Sequence, residues 1–421
     1  MPVETSPFTF LQVSDVHLDS KLASRRLALP HAKKLERNQE ILSALVKALD
    51  AARQRRVDAV LMPGDIWDSE SVTSRTMNKL LEAFKELGDI PVVIAPGNHD
   101  YCSDSSFYSP QVLAARGMRP WPDNVFIFRS PAFSTYRHPR RPDVSFTGRA
   151  FTANSPVTER LLAGAVPRDA QADINVLLFH GSLDGYRGGD AGWPGKITAP
   201  FSAEELSRLG FSYAAVGHYH DMTEIRVNGG PLLGAYSGCL VGRSFEESGP
   251  RYALFGSVAR REDGTAECSL EPVEMDCRRL LVVSCDITGM TSTEVMREVN
   301  RALEKQGARP GIDIVCVKLE GRHPTGGEPT YVIENLRGIY YHLVVEDETR
   351  PDYLTQRFDK RTTEGKFIQA LLELKRRAEA QGGTVSDTEY GSGLTVEIIE
   401  DALYYGLEAL KEKRVTVRNV D

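Results

Sequence analysis

The chain has 421 residues, of which 51 are basic and 58 acidic, so its formal net charge is −7. This length predicts two or three domains, because single cores rarely grow beyond about 250 to 300 residues. The net negative charge excludes a global attraction to nucleic acid, so local groups would have to hold any polyanionic partner.

The six cysteines form no CxxC pair, which is typical of reduced thiols in a cytoplasmic protein. The N-terminal sequence MPVETSPFTF has neither the basic nor the apolar segment of a signal peptide. No apolar run approaches the roughly 18 residues of a membrane span. We therefore expect a cytoplasmic protein without a membrane partner.

Short apolar runs alternate with helical patterns through the first half of the chain. The runs are FTFLQV, AVLM, PVVI, INVLLF and YAAV. Segments 33–56 and 72–89 place apolar residues at helical spacing, and Gly88 is a candidate C-cap for the second helix. This alternation predicts a layered α/β fold with helices on the faces of a buried sheet.

The pattern changes in the C-terminal third of the chain. A strand, helix and strand follow residue 251 or so, and charged helical segments begin near residue 349. We expect three parts: residues 1–275, 276–345 and 346–421. In the last part, a wide apolar stripe either grips the helices of a partner or packs within its own domain. The stripe consists of Phe367, Ile368, Leu371, Leu372 and Leu374.

Each predicted strand of the first half is followed by polar residues. In chain order these are Asp15 and His17, then Asp65 and Asp68, then Asn98, His99 and Asp100, then His180, and finally His218 and His220. Ligands of open α/β sheets gather at the carboxyl ends of the strands, so these side chains are expected to converge.

Seven of these side chains supply oxygen and imidazole nitrogen without thiolate: Asp15, His17, Asp65, Asn98, His180, His218 and His220. Burying such groups together requires cations, because carboxylates would repel one another and imidazoles would become charged. We expect two divalent metals bridged by Asp65. Manganese is the expected metal, with iron, zinc or magnesium as alternatives.

Two adjacent metals are a standard device for hydrolysing phosphoesters, and they predict a bridging hydroxide as the nucleophile. His99 is then the candidate general acid for the leaving oxygen. Asp100 is expected to fix the tautomer of His99. Arg149 and Arg243 are candidate phosphate clamps, with structural ion pairing as the alternative for both.

Two histidines outside these clusters, His31 and His138, lie in polar or basic stretches and are expected to be solvated. The basic segment 136–143, YRHPRRPD, either contacts a phosphate backbone or forms a solvated turn.

The motifs DVH, GDIWD, GNHD, the lone His180 and GHYH resemble the five blocks of calcineurin-like metallophosphoesterases, over roughly residues 8–260. WPDNVFIF, TGRAF, LLFHGSLDGYRGG and GCLVGRSFEESGPR resemble SbcD-type DNA repair exonucleases, especially their YhaO branch. The resemblance implies a β-sandwich flanked by helices and a manganese-dependent nuclease subunit whose partner is an SbcC-like coiled-coil ATPase. It also implies two ligand sets: Asp15, His17, Asp65 and His220 for one metal, and Asp65, Asn98, His180 and His218 for the other.

The resemblance extends loosely to the C-terminal parts. It implies that 276–345 is a small α+β capping domain and that 346–421 is a helical partner-binding region. It also makes Asp68 a candidate for positioning the substrate.

We therefore expect a two-metal DNA nuclease, a 3'-5' exonuclease and/or endonuclease, acting in DNA repair or defence. One alternative is a phosphodiesterase or phosphatase acting on a small molecule or a protein. Another is a non-catalytic adaptor that docks an ATPase. The residues beyond 275 favour a complex, and the complete ligand set disfavours the adaptor. The sequence leaves open the cleavage polarity and whether the chain forms a homodimer.

Overall fold

The computed structural model describes residues 6–193, 195–261, 265–323, 335–353, 358–387 and 391–412. The strands of the first half are β1 (Phe8–Gln12), β2 (Ala59–Met62), β3 (Val92–Ile94), β4 (Val125–Ile127), β5 (Ser134–Arg137), β6 (Val144–Gly148), β7 (Ile174–His180), β8 (Tyr213–Gly217), β9 (Thr223–Ile225) and β10 (Gly234–Tyr236). Later strands are β11 (Tyr252–Arg260), β12 (Ala266–Glu274), β13 (Leu280–Asp286), β14 (Ile314–Glu320), β15 (Arg322–His323), β16 (His342–Asp347), β17 (Arg350–Pro351), β18 (Thr384–Asp387) and β19 (Gly391–Thr395).

Seven α-helices are assigned bounds within the described residues. They are α1 (His31–Arg55), α2 (Ser74–Glu86), α3 (Pro110–Ala115), α4 (Ala203–Leu209), α5 (Ser292–Lys305), α6 (Thr363–Ala380) and α7 (Val396–Glu412). None of the helices in this described part combines the length and apolar character needed to cross a bilayer.

The chain forms two compact units that interleave along the sequence. The first unit comprises Met1–Leu281, Arg309–Val315 and Tyr340–Val344, and the second comprises Val282–Ala308, Cys316–Ile339 and Val345–Asp421. Strands β13, β14 and β16 form a three-stranded sheet. The expected boundaries near residues 275 and 345 remain a prediction.

Two six-stranded sheets build the first unit. The order of one sheet is β12-β11-β1-β2-β3-β4. In this sheet β1 to β4 are parallel, β11 pairs antiparallel with β1, and β12 pairs antiparallel with β11. The order of the other is β5-β6-β7-β8-β10-β9, with a parallel centre and antiparallel edges. The runs predicted as strands are therefore confirmed, and they divide between two sheets.

Alternating side chains of these strands face two different apolar layers. Phe8 and Phe10 of β1 join Phe146 and Val176 of the other sheet in one buried cluster. Leu11, which follows Phe10 in β1, belongs to a second buried cluster that includes the apolar faces of α1 and α2. A third cluster joins the outer face of the second sheet to α4. The first unit is thus a β-sandwich with helices on both outer faces, and the mixed α/β class is confirmed.

Local sequence explains where the helices begin. Ser202 and Glu205 form a reciprocal capping box at α4, and Thr291 and Glu294 do the same at α5. The Thr73 side chain accepts a hydrogen bond from the backbone of Thr76 at the start of α2.

The second unit contains α5, α6 and α7. Leu371 and Leu374 of α6 are buried against Leu403 and Leu407 of α7, together with Val385 of β18. The stripe predicted on α6 therefore packs within its own unit, which favours that alternative over partner binding. The Gly/Ser-rich segment between the two helices pairs as the antiparallel strands β18 and β19.

Candidate active site

The carboxyl ends of strands from both sheets meet at one cluster of polar side chains. Ligand atoms of Asp15, His17 and His220 all lie within 4.8 Å of one another. Those of Asp15, Asp65 and His180 do so as well. The structure therefore brings together side chains separated by about half the length of the chain. We call the seven residues Asp15, His17, Asp65, Asn98, His180, His218 and His220 the ligand cluster.

Backbone strain accompanies the cluster. Asp15, His17 and Asp65 have φ angles of 51°, 49° and 54°, and His218 has 118°. Positive φ costs free energy for residues with a side chain, so it persists only where the surrounding structure enforces it. Here the Asp15 and His17 backbone N–H groups donate to the carbonyls of Gly64 and Asp65, at 3.1 and 3.0 Å. The turn after β1 is thereby fastened to the turn after β2.

Two glycines allow this close approach. A Cβ on Gly97 would lie 2.3 Å from Oδ1 of Asp65. A Cβ on Gly64 would lie 2.6 Å from the backbone nitrogen of Gly97 and 2.8 Å from Nδ1 of His180. No real Cβ tolerates such distances, so both glycines are required by the packing of the turns.

Two histidines of the cluster each form a hydrogen bond between one ring nitrogen and a carboxylate. Nδ1 of His17 lies 2.6 Å from Oδ1 of Asp68, and Nδ1 of His220 lies 2.7 Å from Oε1 of Glu247. The other nitrogen of each ring faces the cluster. Nε2 of His17 lies 3.8 Å from Oδ2 of Asp65, and Nε2 of His220 lies 4.0 Å from Oδ1 of Asp15.

The other two histidines use backbone carbonyls in the same way. Nδ1 of His180 lies 3.0 Å from the carbonyl of Pro63, and Nε2 of His218 contacts the carbonyl of Lys196. Their remaining nitrogens, Nε2 of His180 and Nδ1 of His218, lie 3.3 Å from each other. Such an outer partner fixes the tautomer of an imidazole and directs its lone pair to the opposite side, as in metal sites.

Two buried atoms of the cluster have no hydrogen-bond partner within the described part of the chain. They are Nε2 of His17 and Oδ1 of Asn98. Native structures rarely leave such atoms unsatisfied unless a water or an ion serves them. Oxygen and imidazole donors without sulfur suit manganese, iron or zinc. The residues present therefore fit two divalent cations.

The charges of the cluster conflict when no cation is present. Burial raises the pKa of Asp15 to about 6 and lowers that of His17 to about 4. Burial also opposes ionisation of Asp65 and His180. Their mutual attraction outweighs it, so the pKa of Asp65 falls well below its ordinary value and that of His180 rises to about 9. Cations would favour ionised carboxylates and neutral imidazoles throughout.

His99 lies at the exposed side of the cluster, with its side chain 49% exposed. Its Nδ1 lies 3.3 Å from Oδ1 of Asp68, and its backbone N–H donates to Oδ1 of Asp65 at 2.8 Å. Burial lowers the pKa of His99, but the carboxylates of Asp65 and Asp68 outweigh it and raise the pKa. Asp68 thus contacts both His17 and the candidate acid.

The role expected for Asp100 needs correction. Its carboxylate accepts hydrogen bonds from the backbone N–H groups of Asp65, Ile66 and Gly97 at 3.0, 2.9 and 2.7 Å, and from the Tyr108 hydroxyl at 2.9 Å. These bonds aim its oxygens at the turn after β2. The imidazole of His99 meets Asp68 instead.

The two candidate arginine clamps take different positions. Nη2 of Arg243 lies 2.8 Å from Oε1 of Glu247 and 3.1 Å from Nδ1 of His220, so this guanidinium supports the partner of a ligand. The guanidinium of Arg149 lies 5.9 Å from the ring centroid of Phe133. Phosphate binding by either arginine remains a prediction.

Sequence reasoning missed three residues around His220: Glu247, Asp190 and Lys196. Nζ of Lys196 lies 3.0 Å from Oδ2 of Asp190 and 3.3 Å from Nε2 of His220. The motif stretches quoted for the resemblance include Glu247 but neither Asp190 nor Lys196, and the sequence gives none of the three a role through spacing.

Outside the cluster, His31 is exposed as expected, but His138 is buried. Its Nε2 contacts the carbonyl of Asp58, and its Nδ1 accepts from the backbone of Arg140 and Arg141. The interpretation of His138 as solvated was therefore wrong. The three arginines of segment 136–143 form ion pairs with Asp169, Asp89 and Asp143.

The calcineurin-like phosphoesterase family profile matches residues 8–222, a range that contains the whole ligand cluster. The chain is 23% identical to the uncharacterized metallophosphoesterase YhaO of Bacillus subtilis, over 98% of this chain and 92% of that protein.

Further relatives are DNA double-strand break repair proteins Mre11. The chain is 28% identical to Mre11 of Aeropyrum pernix, over 56% of this chain and 54% of the relative. It is 23% identical to Mre11 of Methanopyrus kandleri, over 52% and 46%. The chain therefore spans about half the length of these Mre11 proteins.

Among solved structures, a dimetal phosphatase from Danio rerio aligns with a TM-score of 0.37 and 16% identity, over 64% of this chain and 99% of that one. The resemblance inferred from the five motifs is confirmed by the family profile, which covers half of the chain. The chain belongs to the calcineurin-like phosphoesterase family.

Proposed function

We propose that this chain is a metal-dependent DNA nuclease that hydrolyses phosphodiester bonds, acting as the nuclease subunit of a complex with an SbcC-like coiled-coil ATPase in repair or defence. One observation carries the chemistry. Each of the four clustered histidines binds an outer partner with one nitrogen and turns the other toward Asp15, Asp65 or a second imidazole.

The proposed ligand sets are those that the resemblance implies, and the approach of Asp15, His17 and His220 within 4.8 Å of one another supports the first. Asp15, His17, Asp65 and His220 would hold one cation, and Asp65, Asn98, His180 and His218 the other. When bound, two such cations would activate water and neutralise charge on the phosphoryl oxygens. We propose manganese for both positions.

The remaining chemistry falls to His99. Its side chain is half exposed, so a leaving oxygen can reach its ring. The carboxylates of Asp65 and Asp68 raise the pKa of His99, which favours the protonated imidazole that a general acid requires. Oδ1 of Asp68 lies 3.3 Å from Nδ1 of His99 and would hold the ring with Nε2 turned outward. We propose that His99 gives this proton to the leaving oxygen while Asp68 positions it.

DNA is the proposed substrate because several relatives are named as double-strand break repair proteins. Similarity to YhaO extends through both compact units of the chain. A second unit is unnecessary for hydrolysing a small ester, so we propose residues 276–345 as a capping domain and residues 346–421 as the partner-binding region. Cleavage at 3' ends, internal cleavage, or both are compatible with this proposal.

One assay separates the proposal from its rival, a phosphodiesterase or phosphatase for small molecules or proteins. End-labelled linear duplex, single-stranded DNA and a small phosphodiester, bis(p-nitrophenyl) phosphate, are incubated with the manganese-loaded protein. Chelated protein is the control. We expect shortened DNA products that disappear in the control. Turnover of the small ester with both DNA substrates left intact would overturn the DNA assignment.

A further inference from the structure

The ammonium group of Lys196 lies against the ligand cluster. Its Nζ lies 3.0 Å from Oδ2 of Asp190, 2.6 Å from the carbonyl of His218 and 3.3 Å from Nε2 of His220. The side chain is only 10% exposed. An ammonium has three N–H groups, and each of these three neighbours can accept one of them.

The surroundings hold Lys196 in place. Asp190 is buried and also accepts from the hydroxyl of Tyr186 at 2.9 Å and from the backbone of His220 at 3.2 Å. The rings of Trp193 and Tyr219 lie 5.4 and 5.7 Å from Nζ, within range of a cation–π attraction. Lys196 is therefore anchored beside the cluster, unlike a lysine that extends into solvent.

The third contact of Lys196 conflicts with metal binding. Nε2 of His220 has a single lone pair, and it faces Asp15 on the side of the cluster. That lone pair can accept an N–H of Lys196 or bind a cation, but it cannot do both. In the metal-loaded protein one N–H of Lys196 therefore loses its acceptor while Asp190 and His218 keep the group beside the cluster.

We propose that this N–H binds an oxygen of the substrate phosphate, which makes Lys196 a substrate-binding residue. The inference rests on the proposed function, because it takes His220 as a metal ligand and a phosphoester as the substrate. Phosphate oxygens are strong acceptors for an ammonium group, and a bond between two charged groups is among the stronger hydrogen bonds.

A structural role for Lys196 predicts a different outcome. If its ammonium only balanced the charge of Asp190, its removal would loosen His220 and weaken metal binding. If it binds phosphate, its removal leaves metal binding intact or improves it, because a positive charge has left the vicinity of the cations. Metal content and phosphate affinity therefore separate the two roles.

The test uses full-length Lys196→Met and Lys196→Arg, with Lys47→Met in the exposed middle of α1 as the matched control. Metal content is measured by elemental analysis, and the Kd of inorganic phosphate for manganese-loaded protein by calorimetry. We expect Lys196→Met to retain two metals per chain and to bind phosphate at least about tenfold more weakly. Lys196→Arg should recover most of the affinity, and Lys47→Met should match the unaltered protein.

Kinetics with bis(p-nitrophenyl) phosphate give a second readout. The loss in Lys196→Met should appear mainly as a higher KM, since the contact is made in the bound substrate as well as in the transition state. Phosphate affinity equal to that of the unaltered protein, or loss of metals together with phosphate, would overturn the assignment of Lys196. If the unaltered protein itself bound no metal and hydrolysed no ester, this result would contradict the proposed function rather than the assignment of Lys196 alone.

Discussion

Asp100 is fully buried and holds the turns after β2 and β3 together. Three backbone N–H groups and the Tyr108 hydroxyl point at its two oxygens. Two of those N–H groups belong to Asp65 and Gly97, so the position of the expected bridging carboxylate depends on a residue outside the ligand cluster. Asp100 contributes to the site through the backbone.

Replacing Asp100 with Ala should therefore destabilise the first unit by roughly 3 kcal/mol or more, because three buried donors lose their acceptor. All three tryptophans, Trp67, Trp121 and Trp193, lie in this unit, so tryptophan fluorescence follows its unfolding in urea. Tyr108→Phe is the matched control and should cost only about 1 kcal/mol. An Asp100→Ala midpoint equal to that of the control would contradict this role.

His99 is the proposed general acid. His99→Ala should keep both metals, since no nitrogen of this ring is assigned to them, and should lower kcat by about 100-fold or more, as loss of a general acid does. Elemental analysis and steady-state kinetics measure the two effects. His31→Ala, at an exposed position in α1, is the control. An unchanged kcat would remove His99 from the mechanism.

Among the elements, the turns that follow the strands contain most of the ligand cluster. His180 is the only residue of this cluster that lies within a strand. The turns after β1, β2 and β3 are locked to one another by backbone hydrogen bonds and by glycines too crowded for a Cβ. Rigid turns of this kind fix ligand positions before a metal arrives, which lowers the reorganisation that binding requires.

Gly97→Ala tests this rigidity. The new Cβ would overlap Oδ1 of Asp65, and relieving the overlap costs about 1 to 3 kcal/mol. Manganese affinity, measured by calorimetry, should fall by roughly tenfold or more. Gly164→Ala is the matched control, because a Cβ there has no neighbour within 4 Å. Equal affinities of the two variants would show that the turns adapt freely.

For the whole molecule, the first unit joins its two sheets at the ligand cluster as well as through the core. Asp15, His17, Asp65 and Asn98 follow strands of one sheet, whereas His180, His218 and His220 come from the other. Cations bound by both groups would link the two layers of the sandwich. Metal binding should therefore stabilise the unit as a whole.

Chelation measures this stabilisation. When free manganese exceeds its Kd about 100-fold, we expect the melting temperature followed by tryptophan fluorescence to rise by roughly 5 °C over the chelated protein. Restoring manganese after chelation should restore the original value. A melting temperature that changes neither on chelation nor on restoring manganese would argue that the cations do not join the sheets.

Much of this architecture can be predicted from the sequence. The buried strands coincide with the short apolar runs, and the motifs at their ends contain the complete ligand cluster. Periodicity alone does not say that β3 and β7 lie in different sheets, because both have the same buried pattern. Only the resemblance, which implies a β-sandwich, predicts two sheets.

Side-chain direction in the turns was harder to predict. Asp68 and Asp100 are both acidic neighbours of candidate ligands, and spacing does not reveal which carboxylate meets His99. The answer depends on positive φ angles at Asp65 and its neighbours, which redirect the chain within one or two residues. Glu247 lies in a short 3-10 helix, Phe245–Glu247, and Lys196 lies in a loop. Neither segment has a periodic signal, so only the folded chain places these residues against His220.

Metal stoichiometry tests the central claim most directly. The protein is stripped with chelator, reloaded with manganese, freed of unbound metal and subjected to elemental analysis beside Asp65→Asn. We predict two manganese ions per chain in the unaltered protein and fewer than one in the variant, because Asp65 faces both ligand sets. A protein that binds none, or an Asp65→Asn variant that retains both ions, would contradict the account.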